Sequence, residues 1–196
     1  MTISLNRKKD SVNVDSPFAI PTFSKMIINH LNEFIDNDYN DLVLVCIGTD
    51  RSTGDCLGPL VGYKLTKLLK NYSKVHILGT LDEPVHAKNL DDKIKMINNK
   101  YDKPFIIAID ASLGSLERIG YVTVANGPLK PGTGVNKDLP NIGDIHITGV
   151  VNLGGFMEYV ILQNTRLSTV MRIANVIANS VSYSIWKISK KEKQPV

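Results

Sequence analysis

Two short stretches of the chain are apolar at almost every position, Leu42–Ile47 and Pro104–Ile109, and a third, Val75–Leu78, is interrupted only by His76. Runs this short and continuous read as strands buried on both faces, as in a parallel sheet. Between and around them the spacing changes to that of helices. After Pro21, residues Phe23, Met26, Ile27, Leu31, Phe34 and Ile35 fall on one helical face. Leu60, Val61, Tyr63, Leu65, Leu68 and Leu69 mark a helix over 58–70, and Leu90, Ile94 and Ile97 another after the turn Asp82-Glu-Pro84. A β-α-β-α-β order of this kind predicts an α/β fold: a three-layer, doubly wound, mostly parallel sheet.

Further on, Gly120–Val124 reads as a fourth strand and Ile145–Thr148 as a short extended segment. Pro128–Gly143 is a long Pro/Gly-rich loop, which in a compact domain is more often functional than idle. Gly154-Gly155 precedes a helix through Met157, Tyr159, Val160 and Leu162, and a last helix runs over 167–187. The expected organisation is a flexible arm over 1–20, one domain over 21–188 and a basic tail over 189–196.

Bulk properties narrow the function classes. The 196 residues are 43% hydrophobic and 21% charged, enough for one domain with a real core. The net charge of +4 is concentrated in the ends, and only 7% of residues are aromatic. No basic stripe with interleaved aromatics is present, so nucleic acid is not the expected partner. Two cysteines, not spaced as CxxC, suggest a reducing compartment without a disulfide framework. The first residues lack the apolar segment of a signal peptide, and polar residues interrupt the late apolar stretch 167–186. A soluble, cytoplasmic protein without a membrane partner is expected; a homo-oligomer stays open.

The segment with the most chemistry is Gly48-Thr-Asp-Arg-Ser-Thr-Gly-Asp-Cys-Leu-Gly-Pro59, which follows the first strand directly. Loops after parallel strands carry the ligand site in open α/β sheets. This one is rich in glycine and ends at a helix, but it has no Lys after the glycines and matches neither GxxxxGK[ST] nor GxGxxG. Its acids would repel a phosphate. Asp55 on this loop and Asp110 at the end of the third strand would meet across the switch-point crevice if the strands follow the order 2-1-3. Two carboxylates at close range push one pKa up and supply an acid and a base from one residue type, as peptide hydrolysis requires. His146, between two isoleucines, is the third candidate, with Asp50, Thr53 and Gly54 in support. Structural roles stand beside these: a helix cap for Asp55, an Asx-turn or cap for Asp110, a core role for His146 and a loop ion pair for Asp50 and Arg51. Cys56 is an alternative nucleophile without a His nearby in sequence.

Gly48-x6-Asp55-x2-Gly58-Pro59 after a strand, with Ile109-Asp110-Ala111 on another, resembles the superfamily of spore germination protease and hydrogenase maturation proteases. Pro131-Gly-Thr-Gly-Val135 is similar to a glycine-rich loop of the former, and His146 is similar in placement to a metal-contacting histidine of the latter. Over about residues 40–185 the chain resembles the YyaC-type sporulation proteins. The resemblance implies a phosphorylase/hydrolase-like fold of the hydrogenase maturation protease type. It implies a hydrolase of aspartic or metal-assisted type, acting on a protein or peptide in the mother cell or forespore of a spore-forming bacterium. Asp55 and Asp110 map onto the family's acids, and Asp55, Asp110 and His146 would suit nickel or zinc in ligand type. A non-catalytic relative that binds a peptide or metal in the same cleft is the alternative, and a nucleotide-binding regulator is a third.

Overall fold

The computed structural model describes residues 9–34, 39–131 and 139–192. Six strands form one sheet in the order β1-β5-β6-β4-β2-β3, with β1 at Lys9–Asn13, β2 at Asp41–Cys46, β3 at Val75–Leu78, β4 at Pro104–Gly114, β5 at Tyr121–Asn126 and β6 at Ile145–Leu153. The run β3-β2-β4-β6 is parallel, while β5 and β1 close the sheet antiparallel. The neighbours β3, β2 and β4 realise the 2-1-3 winding that the sequence suggested.

The continuous apolar runs are explained by helices on both faces. Leu44 and Cys46 of β2, Ile107 and Ile109 of β4, and Ile145 and Ile147 of β6 point into a core shared with α1 (Ala19–Asn32), α2 (Leu57–Leu68) and α5 (Leu167–Glu192). Val43, Val45 and Ala108 point the other way, against Leu90 and Ile97 of α3 (Leu90–Lys100). The central strands β2 and β4 thus bury side chains on both faces. Pro21 sits in the first turn of α1, where its missing N–H costs nothing.

Three segments differ from expectation. Within the expected flexible arm, residues 9–13 form β1 and pair with Tyr121–Asn126 at the sheet edge, and α1 begins at Ala19. A buried polar contact anchors this strand: the ring of His30, fully buried on α1, has Nε2 3.1 Å from an Asp10 oxygen and Nδ1 on Asn126 Oδ1. The polar composition that looked like an arm is therefore a set of hydrogen-bond partners. His30→Ala, which strands Asp10 and Asn126 without their buried partner, is expected to cost about 2–3 kcal/mol. Urea unfolding would show it as a lower midpoint with an unchanged slope.

Secondly, β4 does not end at Asp110. It continues to Gly114 because β6, nine residues long rather than a short segment, runs beside it. Their pairing extends from Ile107–Ile145 to Gly114–Leu153 with an irregularity at Ser112/Leu113. Thirdly, α5 reaches Glu192, so the expected tail from 189 begins as helix. The arms of the long Pro/Gly loop are closed by paired hydrogen bonds between Leu129 and Ile142, at 2.8 and 3.0 Å. Residues 132–135, the part similar to a germination-protease loop, lie outside the described residues.

Candidate active site

The loop after β2 is shaped by close backbone contacts. Gly48 has φ +139°, and a Cβ there would lie 1.9 Å from the carbonyl oxygen of Asp55. A Cβ on Gly58 would lie 2.0 Å from the Ile47 carbonyl oxygen, so the first turn of α2 rests directly on the end of β2. The chain therefore leaves the strand, folds back on itself and enters the helix within eleven residues. The Thr49 N–H donates to the Asp55 carbonyl at 3.2 Å, and the Cys56 N–H to the Ser52 carbonyl at 2.9 Å. A third fastening comes from Gly54, whose N–H donates to Leu162 of α4 (Glu158–Gln163) at 2.8 Å. The spacing Gly48-x6-Asp55-x2-Gly58 is thus a steric requirement of the turn that presents Asp55.

Asp110 enters from β4. It is nearly buried, lies opposite Thr148 of β6, and its Oδ1 accepts the N–H of Ala111 at 2.7 Å. Burial pushes its carboxyl well above the usual 3.8, and the charge of Asp55 pushes it further, against the Ala111 N–H. Asp55 is also raised, first by burial, while the Thr49 N–H and the charge of His86 act the other way. Burial is thus the first cause of both shifts, and the charge of Asp55 adds to it at Asp110. Neither acid plays its structural alternative. The N-cap of α2 is Cys56, without any side-chain cap hydrogen bond, and Asp110 lies within a strand rather than at a helix start.

The other candidates fall elsewhere. His146 lies in β6, the longer strand that the short extended segment proves to be, opposite Ala108 and two positions down the sheet from the pair Asp110–Thr148. Its Nδ1–H donates to the Gly127 carbonyl at 2.8 Å. Two strand positions correspond to about 6.6 Å, and among the described residues no three His, Cys, Asp or Glu side chains converge to hold a metal ion. Asp50 is exposed, with the Thr49 hydroxyl 3.4 Å away. Thr53 serves through its carbonyl, which accepts the Cys56 S–H at 2.9 Å. Gly54 is buried where a Cβ would meet Leu162 and Thr165 at 2.8 Å, so its part is to let the loop dock on α4. The Cys56 thiol is pushed up by burial and by Asp55, the wrong direction for a nucleophile; Cys46, fully buried, is pushed up to about 12.

Two residues escaped the sequence reading. The segment carrying His86 runs alongside the end of β2: Ile47 and Val85 form a parallel bridge, and the Gly48 N–H donates to the Val85 carbonyl at 2.8 Å. Its position after a second parallel strand at the switch point was the available signal. Ser52 is buried with no partner for its hydroxyl among the described residues.

The raised acid of Asp110 carries a stability consequence. The folded protein holds this proton more tightly than the unfolded chain does. Its contribution is complete below the ordinary value of 3.8 and is lost as pH rises through the raised one. Asp110→Asn keeps the Oδ1 acceptor and removes the buried charge. The variant is expected to melt above the wild type at pH 7, with the difference shrinking toward pH 4. Each 1 kcal/mol recovered moves Tm by about 2–4 °C in a chain of this size, within reach of calorimetry.

Fold and site together define a doubly wound α/β protein with one acid, Asp55, on the loop after β2 and a second, Asp110, on the adjoining strand β4. The chain belongs to the family described as "Protein of unknown function (DUF1256)", whose model matches residues 11–180. It is 56% identical over 141 residues to "Uncharacterized protein YyaC" of Bacillus subtilis (strain 168), covering 72% of this chain and 68% of that one. Among solved structures it is similar to a [NiFe] hydrogenase maturation protease, HycI of Thermococcus kodakarensis KOD1, with a TM-score of 0.42 and 16% identity, over 77% of this chain and 98% of that chain. No helix among the described residues is long and apolar enough to cross a membrane.

Proposed function

We propose that the protein is an endopeptidase in which Asp55 and Asp110 hydrolyse a peptide bond. The observation that carries this reading is the placement of two acids on adjoining elements, half-buried Asp55 on the loop after β2 and buried Asp110 on the neighbouring strand β4, with the Asp110 carboxyl raised by burial and by the charge of Asp55. Asp55, as carboxylate, takes a proton from a water whose oxygen bonds to the carbonyl carbon. Asp110, as acid, delivers its proton to the amide nitrogen as the C–N bond breaks. The proton on Asp55 then passes to the remaining carboxylate, and the pair is restored.

The surroundings favour a polypeptide substrate. Phe156, Met157 and Tyr159 are exposed to 95%, 64% and 60% around the start of α4, the helix fastened to the Asp55 loop through Gly54. Apolar exposure on this scale suits an extended chain with apolar side chains. The relative from B. subtilis is in keeping with a role in a spore-forming bacterium. The test is to incubate the protein with an extract of sporulating cells and map newly formed N-termini by mass spectrometry. Cleavages seen with the wild type and absent with Asp55→Asn support the peptidase. Identical maps, with a polypeptide retained on immobilised protein, would transfer the site to a binding relative without catalysis.

A further inference from the structure

The helices on one face of the sheet carry almost no negative charge. α5 packs between α1 and α2, and neither α1, with 14 residues, nor α2, with 12, contains an acid. In α5 the first acid is Glu192, its last residue. The helix on the opposite face differs: α3 mixes Asp91 and Asp92 with Lys93, Lys95 and Lys100, the ordinary pattern of a solvated surface. Arg172 of α5 is matched by Asp15, 3.4 Å away. Lys25 of α1 and Lys187 of α5, both exposed, have no acid within one helical turn in either direction.

Apolar side chains reach the surface among these cations where α1 and α5 meet. The two helices run parallel, fastened by the Ser180 hydroxyl on the Ile20 carbonyl and the Ser184 hydroxyl on the Ser24 carbonyl, both at 3.2 Å. A groove of about 390 Å³ between them is lined by Ile20, Pro21, Ile28 and Tyr183, with Lys25 and Lys187. Phe18, at the start of α1, is 70% exposed. Tyr183 and Trp186, both exposed, pack ring against ring at 5.4 Å, and Lys190 Nζ stands 4.4 Å from the centre of the Trp186 ring.

We propose that the α1–α5 face is a docking surface for an anionic lipid bilayer, with Lys25, Lys187 and Lys190 on the head groups and Phe18, Tyr183 and Trp186 at the boundary with the acyl chains. Tyr and Trp rings flanked by lysine suit a layer that is anionic outside and apolar beneath. Nucleic acid would answer the lysines but leave Phe18, Ile20 and Ile28 against sugar and phosphate. A peripheral contact needs no spanning helix. The proposal sets aside the sequence expectation of no membrane partner, because the face is assembled from helices whose contacting residues lie 160 positions apart.

The experiment sediments the full chain with vesicles of phosphatidylglycerol mixed with phosphatidylcholine, and with vesicles of phosphatidylcholine alone. Binding is expected to the first and not to the second, and should weaken as salt rises. Trp186 is the single tryptophan of the chain, so its emission should shift to the blue on binding and be quenched by brominated acyl chains. Lys25→Gln, Lys187→Gln and Lys190→Gln combined should lower the partition coefficient about 100-fold, since each lysine near an anionic bilayer is worth about fivefold. Lys93→Gln, Lys95→Gln and Lys100→Gln combined remove the same charge from α3 and should bind as the wild type does. No binding to the phosphatidylglycerol vesicles, unmoved Trp186 emission in bound protein, or equal loss in the two triple variants overturns the proposal. Binding of polyglutamate or duplex DNA without binding to these vesicles also overturns it and gives the face to that partner. These measurements involve neither Asp55 nor Asp110, so the peptidase reading is judged separately.

Discussion

Replacing either Asp55 or Asp110 by Asn is expected to lower cleavage by about 10³-fold, the scale of a lost general acid or base, while the fold survives. Survival is expected because neither carboxylate holds the structure up. The Thr49 N–H donates to the Asp55 backbone carbonyl, which Asn keeps, and the contact of Asp110 with the Ala111 N–H is kept by the Asn oxygen. The double variant should be about as inactive as either single one, since residues that act as one unit do not lose activity additively. Initial rates on the mapped cleavage, with circular dichroism confirming the fold, check this. A folded double variant that cleaves at the wild-type rate would remove both acids from the mechanism. The pH profile should be bell-shaped, rising as the first carboxyl of the pair ionises and falling as the second does, and both limbs lie above the ordinary range because burial raises both groups.

What the sequence displayed of this site follows from how each residue is held. Asp55 was legible because its loop is defined by glycines that sterics demand, at fixed distances from a strand of unmistakable pattern. Asp110 was legible as a lone acid after five apolar residues. The extension of β4 beyond it was not, because Ala111-Ser-Leu-Gly114 carries no apolar run or alternation and owes its strand conformation to pairing with β6. The same holds for β1, whose five residues carry no apolar alternation and join the sheet through β5 and His30. His86 was hidden for a different reason. The placement of its segment depends on a bridge between Val85 and Ile47, 38 positions apart in sequence, and local periodicity contains nothing of that pairing. Register between distant segments is where a one-dimensional reading runs out.

Gly48→Ala is expected to be the most destabilising single change at the site, costing about 3 kcal/mol or more. Two costs combine there. The backbone has φ +139°, which L side chains avoid, and the new Cβ would stand 1.9 Å from the Asp55 carbonyl oxygen, a backbone atom that cannot swing aside. Gly155 separates the two costs. It has a similar φ of +146°, yet a Cβ there meets nothing within 4 Å. Gly155→Ala should therefore show the conformational strain alone, on the order of 1 kcal/mol, and the excess at Gly48 measures how tightly the loop is folded under Asp55. Equilibrium unfolding in urea gives both values on one scale. Because the displaced atom belongs to Asp55 itself, whatever Gly48→Ala protein remains folded should also lose cleavage, which Gly155→Ala protein should retain. Equal destabilisation by the two substitutions would mean that the loop can open to admit a methyl group, and that the glycine spacing does not fix where Asp55 stands.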